Sequence, residues 1–124
     1  MTNIIVCGSR YFTDFATFST VLEDYLKDFN KSEICLFSGG ANGTDKLVIQ
    51  YAEKNGIKCQ IFPAFWGKFG KSAGPIRNRW MLKNANACFG FHDGKSLGTA
   101  HMLYISKQKG IPTKVYHFLK NTPV

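Results

Sequence analysis

The sequence predicts an α/β domain in which a mostly parallel, five-stranded sheet is covered by helices on both faces. Three observations carry this expectation. Short apolar runs alternate with stretches whose apolar residues recur every three or four positions. The apolar runs lead into glycine-bearing loops, and no repeat, linker or low-complexity segment breaks the order. Strand-helix alternation calls for right-handed crossovers, which put the helices outside a parallel sheet. At 124 residues the chain has the size of one domain, expected over 1–124.

The elements follow in turn. Residues 3–7 form an apolar run ending in Gly8-Ser9-Arg10, read as a buried strand and a tight turn. Asp14 then caps a helix whose stripe is Phe15, Phe18, Leu22, Tyr25, Leu26 and Phe29. A second strand, Ile34 to Phe37, enters Ser38-Gly39-Gly40-Ala41-Asn42-Gly43-Thr44-Asp45. Leu47, Val48, Tyr51 and Ala52 mark the next helix, which Gly56 stops. Lys58 to Phe62 make the third strand. The following stretch holds Pro63, Gly67, Gly70, Gly74 and Pro75 and is expected to be irregular, with a short helix from Ile76 to Asn84 that has Pro75 at its first position. Ala87 to Phe91 read as the fourth strand. A loop from His92 to Thr99 opens a helix reaching about Lys109, and the last strand lies near Lys114 to Phe118.

Composition narrows the function classes. With 44% hydrophobic, 15% aromatic and 19% charged residues the chain is far from the signature of disorder. No run approaches the roughly 18 apolar residues of a membrane span, and the N-terminus enters the first strand without a basic leader. A cytoplasmic protein without membrane partners is therefore expected. Cys7, Cys35, Cys59 and Cys88 sit singly in apolar runs and read as buried reduced thiols; no metal site is expected. The formal charge is +8, and no acidic residue occurs between Glu53 and Asp93, where Lys68, Lys71, Arg77, Arg79 and Lys83 fall. Such a basic segment suits a phosphate, whether of a nucleotide or of a nucleic acid.

Open parallel sheets bind ligands at the carboxyl ends of their strands. The glycine loops lie at such ends, so they are expected to converge on one crevice. Gly39, Gly40 and Gly43 with the helix amides behind them suit an anion, and they equally suit a plain tight turn. Their spacing matches neither G-x-G-x-x-G nor G-x-x-x-x-G-K-[ST], which argues against a dinucleotide fingerprint or a triphosphate P-loop. Asp45 either caps its helix or accepts ribose hydroxyls. Ser9, Arg10 and Arg77 offer donors to a phosphate, the guanidinium bidentately. Arg79 and Lys83 read as solvated. Asp93, Ser96, Gly98 and Thr99 either orient a sugar and expose amides, or form a turn and a Ser96 helix cap. His92 and His101 are acid-base candidates by type, and Phe65 and Trp66 are stacking candidates; both pairs have an equally good structural reading.

Five motifs stand in order: Gly8-Ser9-Arg10, Ser38-Gly39-Gly40-Ala41-x-Gly43-x-Asp45, Pro63-Ala64-x-Trp66, Ala73-Gly74-Pro75-x-Arg77-Asn78-x-x-Met81 and Asp93-Gly94-x-Ser96-x-Gly98-Thr99. On these the chain resembles, over nearly its whole length, the SLOG superfamily of Rossmann-like proteins in its YspA, cpYpsA-related branch. The resemblance implies a Rossmann-like three-layer sandwich and homodimeric pairing. With the loop reading, it puts the ligand site at Gly8, Ser9, Arg10, Ser38, Gly39, Gly40, Gly43, Asp45, Gly74, Arg77, Asn78, Asp93, Ser96, Gly98 and Thr99. Relatives imply three activities: nucleotide phosphoribohydrolysis in LOG-type enzymes, sensing of nucleotide-derived signals, and single-stranded DNA binding in DprA. Arg77 matches the LOG-type arginine and Gly98-Thr99 match a Gly-Thr-x-x-Glu motif, but Met102 stands where that motif has its catalytic Glu. A thioether can neither move protons nor stabilise an oxocarbenium-like centre.

The expected function is therefore binding of a phosphate-bearing nucleotide or nucleotide-derived ligand at the carboxyl edge of the sheet, as a sensor or sequestering domain with no further cofactor. One alternative is hydrolysis of an N-glycosidic or phosphate bond, with Asp45 and Asp93 flanking the ligand. Another is a single-stranded nucleic-acid-binding protein resembling DprA. No catalytic residue is assigned.

Overall fold

A computed structural model describes residues 1–118. Strands and helices alternate as β1 (Thr2–Gly8), α1 (Phe15–Leu26), β2 (Ile34–Ser38), α2 (Thr44–Asn55), β3 (Lys58–Ile61), α3 (Trp66–Phe69), α4 (Ala73–Lys83), β4 (Ala87–His92), α5 (Leu97–Lys109) and β5 (Thr113–His117), with single 3-10 turns at Lys31–Glu33 and Gly70–Ser72. The five strands make one sheet in the order β3-β2-β1-β4-β5, and every pairing is parallel. The α/β Rossmann-like architecture read from the sequence is thus present.

Alternate residues of the strands feed two separate cores. Ile4 and Val6 of β1 join Leu36 and Phe89 under α1 and α2, which contribute Phe18, Leu22, Leu26, Val48 and Tyr51. Ile5 and Cys7 face the other way, with Phe37 and Cys88, against Met81 of α4 and Met102 and Leu103 of α5. Strands covered on both faces need apolar residues at every position, which is why β1, β2 and β4 read as unbroken apolar runs.

Helix ends follow the sequence signals. Asp14 caps α1 by accepting from Thr17 N at 3.1 Å and from the Thr17 hydroxyl at 2.6 Å. Gly56 and Gly110 end α2 and α5 in the left-handed conformation. Phe29 lies beyond α1 and packs on the core from there, half-buried.

Two expectations need correction. The stretch after β3 is not irregular: α3, a 3-10 turn and α4 follow one another, and α4 begins at Ala73. Pro75 is its third residue, where a missing N–H costs nothing because first-turn amides have no partner within the helix. Cys59, unlike the buried Cys7, Cys35 and Cys88, is half-buried, since β3 is an edge strand. All four thiols are free. Among the described residues, no helix is long and apolar enough to cross a membrane.

Candidate functional site

The sheet grows outward from β1 in both directions, so the loops after β1 and β4 diverge and leave a crevice between them. A cleft of about 430 Å³ opens there. Gly8, Ser9 and Arg10 line it from β1, Gly39 and Asp45 from the β2–α2 segment, Arg77 and Asn78 from α4, and Asp93, Ser96, Gly98 and Thr99 from the β4–α5 segment. Loops up to ninety residues apart in sequence converge as the strand order requires.

Four expected residues, Ser38, Gly40, Gly43 and Gly74, are not part of the lining. Ser38 is fully buried; its hydroxyl donates to Asp45 O at 2.9 Å and accepts from Gly40 N at 3.2 Å. Gly43, at φ +73°, lies where a Cβ would sit 2.2 Å from the Arg10 carbonyl oxygen. Only glycine admits both the conformation and that approach. Thr44 N and the Thr44 hydroxyl then donate to Ser9 O at 3.1 and 2.9 Å, so the first amide of α2 is spent on the β1–α1 connection. Gly74 packs toward Trp66 in the first turn of α4.

Asp45 does not cap α2, whose N-cap is Gly43 without a side-chain bond. It is the second helical residue, and its carboxylate turns back over the loop to accept from Ala41 N at 3.2 Å. The residue is 8% exposed. Burial pushes its carboxyl up to about 6, against the opposing pull of the Ala41 amide, the Arg77 guanidinium and the Gly39 amide.

Arg77 is held from three sides. Its Nε donates to Asn78 Oδ1 at 3.1 Å, and Nη1 donates to Gly39 O at 2.7 Å and more weakly to Phe62 O at 3.4 Å. Asn78, buried, in turn ties α4 to α5 through Gly98 O at 3.3 Å and His101 Nδ1 at 3.1 Å. The amide donates, so this His101 nitrogen accepts, as a neutral ring does. Burial and then Arg79 hold the His101 pKa down.

The β4–α5 segment is built differently. Asp93 Oδ1 accepts from Lys95 N at 2.8 Å and Ser96 N at 2.9 Å, forming a turn. Burial raises its pKa, but these amides, the Ser9 hydroxyl and nearby His92 outweigh that and keep it below the ordinary value. Ser96 caps α5, accepting from Thr99 N at 3.3 Å. The amides of Leu97 and Gly98 find no acceptor among the described residues. A Cβ built at Gly98 would meet nothing within 4 Å.

Several side chains singled out by type lie elsewhere. Met102 is fully buried in the core between α5 and the sheet. His92 accepts from Gly94 N at 3.3 Å outside the cleft lining. Phe65 and Trp66 are exposed around α3, and Arg79 and Lys83 are exposed on α4. The cleft also includes Cys7, Tyr11, Ala41, Met81, Lys95 and Leu97. Lys95 and Leu97 were reachable from sequence, because they alternate with Ser96 and Gly98 in a loop already singled out. Cys7 and Met81 form the apolar floor and carry no polar signal.

The sequence pattern of the YspA, cpYpsA-related SLOG family matches residues 2–69. The chain is 30% identical over 118 residues to the gene 61 protein of Mycobacterium phage D29, an alignment covering 90% of this chain and 94% of that protein. Its fold superposes on DNA processing protein A (DprA) from Streptococcus pneumoniae with a TM-score of 0.74 at 18% identity, over 93% of this chain and 50% of DprA. The chain thus spans about half of DprA, and the likeness is one of fold.

Proposed function

This chain belongs to the YspA, cpYpsA-related SLOG family, and from that premise we propose that its cleft binds a phosphate-bearing nucleotide or nucleotide-derived small molecule. The observation that carries this reading is the meeting, in one cleft, of two unlike ends. At one, Lys95 and the amides of Leu97 and Gly98 in the first turn of α5, unpaired among the described residues, suit an anion through charge, hydrogen bonds and helix dipole. At the other, Asp45 and Arg77 supply an acceptor and a donor suited to a sugar or base. A volume of about 430 Å³ lies within the range of small-molecule sites. Met102, buried in the core, stands where the LOG-type motif has its catalytic Glu, which favours binding over hydrolysis.

Thermal unfolding with AMP, ADP, ADP-ribose and cyclic AMP tests it. A ligand at about a hundred times its Kd stabilises the fold by about 2.7 kcal/mol, a Tm rise of several degrees. A folded protein whose Tm none of these compounds raises at millimolar concentration would overturn the proposal.

One observation favours a second reading, binding of single-stranded nucleic acid, and it concerns a different face. Phe65, Trp66 and Trp80 are 49%, 59% and 41% exposed around α3 and α4, beside exposed Lys68, Lys71, Arg79 and Lys83. Phe65 and Phe69 pack edge-on against Trp80, which holds the rings in place. Rigid aromatics among cations make a stacking platform for single strands. Fluorescence anisotropy with an oligo-dT probe checks it. The reading requires binding at low salt that weakens steeply as salt rises and is lost in a Trp66→Ala, Trp80→Ala double variant.

A further inference from the structure

We infer that Asp45 and Arg77 together recognise a ribose hydroxyl pair, so that the cleft selects ribosyl phosphates over their 2-deoxyribosyl counterparts. The inference rests on the nucleotide reading of the cleft and names the part of the ligand that the sheet-side end of the cleft takes.

Asp45 is an under-satisfied carboxylate. It is 8% exposed, and its two oxygens draw only on backbone amides of its own loop, Ala41 N at 3.2 Å and Gly39 N, where an ionised carboxyl has room for about four donors. Buried acceptors left short of donors are uncommon in native structures. The residue lines the cleft, so a ligand there can supply the remaining donors.

Arg77 is short of acceptors in the same place. Gly39 O, Phe62 O and Asn78 Oδ1 engage Nη1 and Nε, and Nη2 meets no acceptor among the described residues. The two side chains approach each other over Gly39, where a Cβ would lie 2.3 Å from Arg77 Nη1 and 2.8 Å from Asp45 Oδ2. They nonetheless form no ion pair within 4 Å. The grip of Asn78 and the Gly39 carbonyl holds the guanidinium back, leaving an acceptor and a donor side by side and open to the same cleft.

Few ligand groups answer both at once. A phosphate oxygen would accept from Arg77 but meet the Asp45 charge, so it belongs at the Lys95 and α5 end. An ammonium would serve Asp45 and oppose Arg77. A hydroxyl donates and accepts together, and two vicinal hydroxyls can give one proton to the carboxylate while taking another from the guanidinium. Ribose is the part of a nucleotide that carries such a pair. A site with a buried polar group awaiting a hydroxyl rejects the analogue lacking it more strongly than an apolar site does, since the group is then left unpaired.

Calorimetric titration of the wild-type protein at pH 8 with AMP, 2′-deoxy-AMP, ribose 5-phosphate and 2-deoxyribose 5-phosphate decides the point. In at least one pair the ribosyl compound should bind tenfold or more tightly than its deoxy partner. Asp45→Asn, close in shape and checked by its melting curve, should weaken the ribosyl compound tenfold and abolish the preference. Arg77→Lys, which keeps the charge and loses the fork, should do the same to a smaller degree. Equal affinity within each pair, or an undiminished preference in Asp45→Asn, overturns the inference while leaving the nucleotide reading intact. Binding by none of the four overturns the inference, and it overturns the nucleotide reading too where ADP, ADP-ribose and cyclic AMP likewise fail to raise the Tm.

Discussion

In the β2–α2 segment, Ser38 to Asp45, the chain uses most of its polar groups on itself, the Asp45 carboxylate excepted. Ser38 bonds Asp45 O and Gly40 N, Thr44 bonds Ser9 O twice, and Gly43 exists to let the Arg10 backbone come close. In the β4–α5 segment, Asp93 to Thr99, side chains close the turn and cap α5, while the Leu97 and Gly98 amides and the space over Gly98 stay open. Two loops alike in glycine content and position thus differ in what they give the cleft. The first gives side chains, Asp45 directly and Arg77 by way of Gly39 O, and the second gives backbone. Glycine in a loop marks either a place where another chain segment must fit or a place where nothing does, and only packing separates the two.

Gly43→Ala breaks the comparison most severely. The new Cβ would stand 2.2 Å from the Arg10 carbonyl oxygen at a φ of +73°. Backbone cannot retreat as a side-chain tip can, so strain and overpacking add, to about 3 kcal/mol or more. The Tm should fall by roughly 10 °C or more, read by circular dichroism. A fall of under 3 °C would mean the segment is looser than its contacts imply.

Asp45→Asn sharpens the same side of the comparison. Burial lifts the folded carboxyl to about 6 from an ordinary value near 3.8, so the folded state holds a proton that the unfolded chain has released. Stability accordingly falls as pH rises from about 4 through about 6, and above that the ionised group costs on the order of 3 kcal/mol. The neutral amide can still accept from Ala41 N. The variant should be more stable than the wild type by about 1–2 kcal/mol at pH 8 and equal to it near pH 4. Melting curves at the two pH values check this, and a variant less stable at pH 8 would mean that the charge itself holds the loop.

The fold was legible because its determinants are local and redundant. Unbroken apolar runs, the stripe Phe18, Leu22 and Leu26, the Asp14 cap and the glycine stops at Gly56 and Gly110 each point to the same element order. Of the helical path from Trp66 to Lys83 only the part from Ile76 onward was legible, because the four breakers before it sit where first turns and connections tolerate them. Most of the cleft was legible too, since its residues sit on loops that a parallel sheet must bring together. The roles within it were less so. From its place in sequence Asp45 reads either as a helix cap or as an acceptor for ribose hydroxyls, and its inward turn depends on Ala41 and on Arg77 arriving from α4. Met102 is buried with Thr99, Leu103 and Ser106 on one face of α5, a stripe at helical spacing that its place after Gly98-Thr99 masked.

Ser96→Ala probes the second segment at lower cost. It removes the acceptor for Thr99 N and the bond to the Thr99 hydroxyl, and N-cap losses of this kind amount to about 1 kcal/mol. Thermal melts should show a fall of roughly 3–5 °C, well short of that in Gly43→Ala. A larger fall would place this loop, like the first, among the parts that hold the sheet connections together.

Gly98→Ala has the smallest effect on stability and separates the two segments most directly. Its φ is outside the left-handed region and no atom lies within 4 Å of the new Cβ. Alanine is the better helix former and constrains the unfolded chain, so the change in stability should lie between zero and about 0.5 kcal/mol in favour of the variant. The same methyl group projects beside the open amides of the first turn of α5, in the cleft lining. If a phosphate approaches those amides, its contact distance must lengthen, and the Tm rise that AMP or ADP-ribose produces should shrink while the ligand-free Tm holds or climbs. An unchanged ligand-induced rise would move the anion away from α5 and toward Arg10, whose side of the cleft is built by the first loop rather than the second.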